Sequence, residues 1–143
     1  MAVLDATDQV MGRLASIVAK RLLRGEEIHI VNAENALITG GRDALLAEYL
    51  VKRQMGSVAS RMRGKGPYYP RRPDRLLHRV IRGMLPYQKP HGRAALRRLR
   101  VYVGVPTEVA GQPTERVEAA STVRTARFVR LGDLATRLGS RFS

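Results

Sequence analysis

In this 143-residue chain the stretch Gly64-Lys65-Gly66-Pro67-Tyr68-Tyr69-Pro70-Arg71-Arg72-Pro73 carries the residue types with the most pointed chemistry. Glycine gives a backbone that can thread, proline stiffens it, Lys and Arg donate to phosphate, and two adjacent tyrosines offer faces on which bases stack. That mix suits a loop inserted into folded RNA. The tyrosines could also anchor the loop to a core, and the two roles are compatible. The other candidates carry less. His29, His78 and His91 have no metal-ligand spacing, and with no Cys a zinc site would need carboxylates that the surrounding basic segment lacks. His29 reads as a strand residue, while His78 and His91, set among arginines, read as hydrogen-bonding groups toward RNA or backbone. Asp5 with Asp8, or Glu26 with Glu27, could be paired carboxylates of a metal nuclease, but nothing converges on them; helix-start and solvent-facing roles are the expectation. Gly40-Gly41 and Gly64-Lys65-Gly66 fall short of a phosphate-binding GxxxxGK[ST] loop, and tight turns explain them. No cofactor, no metal, no small-molecule substrate and no catalysis is expected.

The net charge of +14 is distributed unevenly. Residues 1–52 net −1 and residues 101–143 net +2, whereas residues 53–100 net +13 with Asp74 as their single acid. Such a segment repels itself unless a polyanion neutralises it, so nucleic acid is the expected partner. Arg outnumbers Lys 22 to 4, and the planar guanidinium grips phosphate and stacks on bases, which suits structured RNA or DNA better than a lipid surface. Codon bias could raise Arg everywhere, but it would not segregate acids away from one third of the chain. The longest run without Asp, Glu, Lys or Arg is seven residues, against roughly 20 apolar residues for a membrane-spanning helix. The start bears Asp5 and Asp8 and no basic lead into an apolar stretch, so no secretory signal is expected and a cytoplasmic protein is.

The elements that must position these residues follow from hydrophobic spacing. With 44% apolar and 5% aromatic residues the core is mainly aliphatic, within one domain. Val3 to Ala6 reads as a strand; Thr7 or Asp8 then starts a helix with Met11, Leu14, Ala15, Val18 and Leu22 on one stripe, stopped by Gly25. Ile28 to Val31 reads as a buried strand and Ala36 to Thr39 as another. The four residues between them are too few for a parallel crossover, so the two runs form a hairpin or do not share a parallel sheet. A helix from Arg42 follows, with Leu45, Leu46, Tyr49 and Leu50 on one side. Gly and Pro then break the pattern between Arg53 and Pro73, a loop expected to order only against RNA. A helix from Asp74 should bury Leu77, Val80, Ile81 and Met84 and project Arg75, Arg79 and Arg82 from other faces. A short basic helix over 93–98 and a strand over 99–103 come next. The polar stretch 107–125 is expected to be extended and poorly fixed when free, with Leu131, Leu134 and Leu138 in a small terminal helix.

The run from Arg71 through Pro73, Asp74, Leu76, Leu77 and His78 to Pro86, and that from Gly92 through Arg97, Arg98 and Leu99 to Pro106, resemble the signature region of large-subunit ribosomal protein thirteen. Asp5-Ala6-Thr7, Gly12-Arg13-Leu14-Ala15-Ser16, Val31-Asn32-Ala33-Glu34 and Thr39-Gly40 occur in the same order in that family. The resemblance covers roughly residues 3–106, and the ending Leu131-Gly132-Asp133-Leu134 resembles the archaeal and eukaryotic branch. It implies an α/β fold: a three-layer α/β/α domain around a small four-stranded sheet, parallel or mixed given the four-residue gap. The corresponding organisation is a core over 1–106 that includes the basic loop 53–73, and an extended C-terminal tail over 107–143 with a short terminal helix. The implied function is structural: binding and bridging large-subunit ribosomal RNA beside neighbouring ribosomal proteins during assembly and translation, in the cytoplasm and on the ribosome. A free-standing basic protein coating nucleic acid is the alternative. The expected RNA-binding set is Arg53, Arg61, Arg63, Lys65, Tyr68, Tyr69, Arg71, Arg72, Arg75, Arg79, Arg82, Lys89, His91, Arg93, Arg97 and Arg98.

Overall fold

Residues 1–55, 67–121 and 123–142 are described by a computed structural model. Along the chain, β1 (Ala2–Asp5) leads to α1 (Met11–Leu23), β2 (Ile28–Val31), a 3-10 turn (Ala33–Asn35), β3 (Leu37–Thr39) and α2 (Arg42–Gln54). Next come α3 (Pro73–Gly83), α4 (Pro90–Arg97), β4 (Leu99–Val101), β5 (Thr114–Glu115), α5 (Glu118–Ser121), β6 (Phe128–Arg130) and α6 (Leu131–Arg137).

The central sheet has the order β4-β2-β1-β5, and its three pairings are all parallel. β1 pairs with β2 in the register Ala2↔Ile28, and β2 with β4 in the register Ile28↔Leu99. β3 stands outside this sheet and pairs antiparallel with β6, Leu37 opposite Arg130. The short gap between β2 and β3 is thereby resolved. Asn32 adopts a left-handed conformation at φ 56°, the 3-10 turn redirects the chain, and the two runs enter different sheets.

Alternation along the strands sorts side chains to two faces. Leu4, Ile28, Ile30 and Leu99 join the main core with the buried stripes of the helices, among them Leu14, Val18 and Leu22 of α1. On the opposite face, Val3 and Val31 meet Val109 and Tyr102 in a small cluster that contains no helical residue. Among the described residues the α1 stripe packs on one face of the sheet, and Tyr102 and Val109, after β4, cover Val3 and Val31 on the other.

Several local expectations are corrected. Asp8 does not cap α1: it sits at φ 58°, the N-cap position is Val10, and the Asp8 carboxylate instead pairs with Arg130 at 3.0 Å. Gly25, at φ 97°, does end the helix in the left-handed conformation that favours glycine. α2 runs on through Arg53 to Gln54, so Arg53 is helical rather than the first residue of a loop, and Leu50 is exposed although Leu45 and Tyr49 are buried. In α3 the buried residues are Pro73, Leu76, Leu77 and Ile81, with Val80 only partly covered. Met84 lies at the C-cap, where the chain leaves the helix, and is 43% exposed. α4 begins at Pro90 instead of Arg93, and β4 stops at Val101.

The polar stretch after residue 107 is also more firmly tied than its composition implies. Thr114 and Glu115 form β5 against Val3 and Leu4, and the backbone N–H of Val10 donates to the Ala120 carbonyl at 2.8 Å. Leu131, Leu134, Ala135 and Leu138 are buried in the main core as the expected terminal helix α6 and its cap. α6 approaches the 3-10 turn so closely that a Cβ at Gly132 would fall 3.0 Å from the Glu34 carbonyl oxygen.

Candidate nucleic-acid interface

The burial of Leu76, Leu77 and Ile81 fixes the rotation of α3, so Arg75, Arg79 and Arg82 occupy the arc turned away from the core. Proline at the first helical position needs no hydrogen bond there, and Asp74 in the first turn complements the helix dipole. α4 is set against the turn that follows α3 by a close approach at Gly92. A Cβ at that position would lie 2.0 Å from the Pro86 carbonyl oxygen, so glycine alone lets the first turn of α4 seat there. Leu85 and Ala95 are buried below, and Lys89, His91, Arg93 and Arg97 stand exposed. The Arg93 guanidinium donates to the Gln88 carbonyl at 3.0 Å.

The two tyrosines differ in their surroundings. Tyr69 is held: the Arg79 guanidinium lies 4.0 Å from its ring centroid, Lys52 Nζ lies 5.7 Å from it, and Arg53 Nη1 donates to its carbonyl oxygen. Tyr68 next to it is 67% exposed. A second cation stack places Arg82 4.9 Å from the ring centroid of Tyr87.

Three hollows run along α3. One of about 300 Å³ is lined by residues including Tyr49, Lys52, Tyr69, Arg79, Arg82 and Tyr87. The second, about 340 Å³, is lined by Tyr68, Pro70, Arg75, His78, Arg79 and Arg82. The third, about 510 Å³, lies among His78, Arg93, Leu96, Arg97, Leu99 and Arg100. Arg79 and Arg82 belong to the first two and His78 to the last two, which makes the hollows one continuous surface without an acidic lining residue.

Four arginines outside this surface are matched to acids. Arg21 bonds Glu26 at 2.7 Å and Glu115 at 3.1 Å, and Arg116 meets Asp5, Arg130 meets Asp8 and Arg137 meets Asp43. Within residues 53–100 the ion pair among the described residues is Arg72 with Asp74 at 3.2 Å. Arg75, Arg79, Arg82, Lys89, Arg93, Arg97, Arg98 and Arg100 are in no ion pair among the described residues. His78 lies half-buried among them. Burial first, and the Arg82 charge second, push its pKa below the ordinary histidine value, while Asp74 pulls the other way, so at neutral pH it is an uncharged donor and acceptor. Burial likewise raises the Tyr49 hydroxyl, which stays protonated.

Of the expected set, Arg71, Arg75, Arg79, Arg82, Lys89, His91, Arg93, Arg97, Tyr68 and Tyr69 lie on or beside α3, α4 and the segment leading into them. Arg98 is partly engaged elsewhere, since its guanidinium donates to the Leu22 carbonyl at the end of α1, 3.1 Å away. Arg61, Arg63 and Lys65 lie outside the described residues. Sequence reasoning missed Lys52, Tyr87 and Arg100. The alternation Leu99-Arg100-Val101, with both neighbours turned toward the core, was the available signal for Arg100. His29 is a strand residue as read: it is buried in β2, its ring nitrogens 3.3 Å from Glu27 and 3.3 Å from the Tyr102 hydroxyl. Among the described residues no His, Asp or Glu group could hold a metal ion, and no helix is long and apolar enough to cross a membrane.

The family model described as ribosomal protein L13 matches residues 1–108. The chain belongs to the ribosomal protein L13 family. The large ribosomal subunit protein uL13 of Methanococcoides burtonii is 49% identical across 99% of this chain and 100% of its own length. Those of Methanosarcina barkeri, at 48%, and Methanocaldococcus jannaschii, at 46%, match with the same coverage. These archaeal relatives agree with the branch implied by the C-terminal motif. They also carry the L13 likeness past residue 108, through β5, β6 and α6. Within the L13 pattern, α3 and its lead-in hold the first signature run, and α4 with β4 the second.

Proposed function

We propose that this chain is a structural constituent of the large ribosomal subunit, and that its α3–α4 face binds and bridges segments of large-subunit ribosomal RNA beside neighbouring ribosomal proteins. It works on the ribosome, in the cytoplasm. The carrying observation is the distribution of charge: Arg21, Arg116, Arg130 and Arg137 are matched to Asp or Glu, whereas Arg75, Arg79, Arg82, Arg93, Arg97 and Arg100 of α3, α4 and β4 line one continuous surface and have no acidic partner among the described residues. Phosphates laid on that surface would supply the missing counter-charge and release condensed cations as they bind. The exposed ring of Tyr68 and the neutral His78 add contacts suited to unpaired bases and ribose. Arg61, Arg63 and Lys65 extend the same basic sequence and belong to the proposed set. The role is one of scaffolding and not of catalysis: cations spread over two helices reduce repulsion between RNA segments that must pack together.

Family membership favours this reading over a free-standing coat of nucleic acid. Sedimentation of a tagged copy through a sucrose gradient tests it. The protein should travel with the large subunit and remain there at moderate salt; recovery mainly in free or chromosomal fractions would overturn the proposal.

A further inference from the structure

We infer that the hollow between α2 and α3 is a site for a single unstacked nucleotide, with its base against Tyr69 and Tyr87 and its phosphate on the ridge formed by Arg79 and Arg82. This rests on the reading that the α3–α4 face binds RNA, and it names what one part of that face selects. The hollow measures about 300 Å³, room for one nucleotide and too little for a base-paired segment. A phosphate site would need cations alone; this one has three tyrosines in its lining, together with the apolar Leu76 and Val80. Aromatic rings beside cations are the composition that holds an exposed base: the base meets the ring surface that the guanidinia leave uncovered, while the cations take the backbone.

The two cation stacks shape the site further. Arg79 lies over Tyr69 and Arg82 over Tyr87, at 4.0 Å and 4.9 Å from the ring centroids. Each guanidinium is held by its ring without being neutralised, and each also lines the neighbouring hollow that contains Tyr68. A strand leaving the first hollow would cross the Arg79–Arg82 ridge and meet Tyr68, 67% exposed, where the next base can stack. Tyr49, 8% exposed, belongs to the core and forms part of the wall, whereas Tyr87, 38% exposed, remains open to a ligand. An acidic, aromatic peptide from a protein neighbour is the competing occupant. The unbroken run of cations along α3 into the third hollow favours a polyanion.

The test uses the full chain, whose lack of Trp lets tyrosine fluorescence report stacking directly. It is titrated with hexaadenylate and with a ribose-phosphate hexamer bearing no bases. Hexaadenylate should bind about tenfold more tightly and quench the tyrosine signal. Tyr69→Leu and Tyr87→Leu should each reduce that preference, with Tyr69→Phe and Tyr87→Phe restoring it, and thermal melts identify any variant that fails to fold. The slope of affinity against salt should be unchanged in all four, since no tyrosine contacts phosphate as a cation. Equal affinity for the two hexamers would overturn the nucleotide site and leave the RNA-binding face standing. Absence of binding to both would overturn the two together. A preference that survives both Leu variants, or displacement of hexaadenylate by a lower concentration of an acidic tyrosine-containing peptide, would also overturn it.

Discussion

The Arg79 guanidinium lies 4.0 Å from the centre of the Tyr69 ring, which joins the segment entering α3 to the helix itself. A half-buried stack of this kind contributes about 0.5–2 kcal/mol. Arg79→Ala should therefore lower the stability of the free protein by no more than about that amount, while weakening RNA binding clearly. A thermal melt paired with a filter-binding titration checks both; a large loss of stability with unchanged RNA affinity would reverse the assignment of this residue.

The opposite balance is expected beneath it. Leu77 and Ile81 are 0% exposed, so Leu77→Ala and Ile81→Ala should each cost about 2–5 kcal/mol. Met84→Ala, at an exposed position, should cost under about 1 kcal/mol. Urea denaturation of the three variants measures this directly, and equal losses would mean that the helix phase is wrong.

Gly92 offers a steric test. Gly92→Ala places a methyl group on the Pro86 carbonyl, which must move, and a loss of about 1–3 kcal/mol or more is expected. Gly12→Ala, in the first turn of α1 with nothing within 4 Å of its added Cβ, should be neutral or stabilising by up to about 1 kcal/mol. Comparing melting temperatures of the two variants separates close approach from helix propensity.

His78 gives the stability curve a pH dependence of definite sign. Its pKa in the folded protein is below the ordinary value of 6.5, so the unfolded chain binds a proton more readily. Its contribution is present above pH 6.5 and is lost as pH falls through the lower folded value. His78→Gln should flatten the decline in stability on that acid side. Chemical denaturation from pH 7.5 down to about 5, bracketing the free-histidine value, checks it; a steeper decline in the variant would refute the sign.

Salt dependence tests the proposed face as a whole. If Arg75, Arg79 and Arg82 each meet one phosphate, replacing all three with Ala should reduce the slope of log affinity against log salt by about 2–3. An unchanged slope would place the phosphate contacts on α4 or on Arg61, Arg63 and Lys65.

Much of this architecture could be read from local pattern. Six buried residues of α1 repeat at helical spacing, and all four residues of β2 are buried, because α1 packs one face on the main core and β2 is covered on both. The charge segregation pointed to the α3–α4 face for a similar reason, since basic residues could not be buried with Leu77 and Ile81. What escaped depends on distant partners. Thr114 and Glu115 have no apolar alternation, and they are a strand only because β1 presents an open edge to them. Met84 continues the apolar spacing of α3 but falls where the helix has already ended. Tyr68 and Tyr69 are adjacent and chemically identical; which of them meets Arg79 depends on the path of the backbone beside α3.

The pairing of β1 with β5 joins Val3 and Leu4 with residues more than a hundred positions later. During translation the basic face, complete by Arg100, emerges ahead of Thr114 and Glu115, which finish the sheet. For that interval the nascent chain carries its cations on a fold with β1 uncovered along one edge and without α6 in the core. Closure of such a distant contact is slow relative to local helix formation. A polyanion reaching α3 and α4 early would meet an unfinished protein, so the order in which the two partners mature becomes a matter of timing as well as affinity.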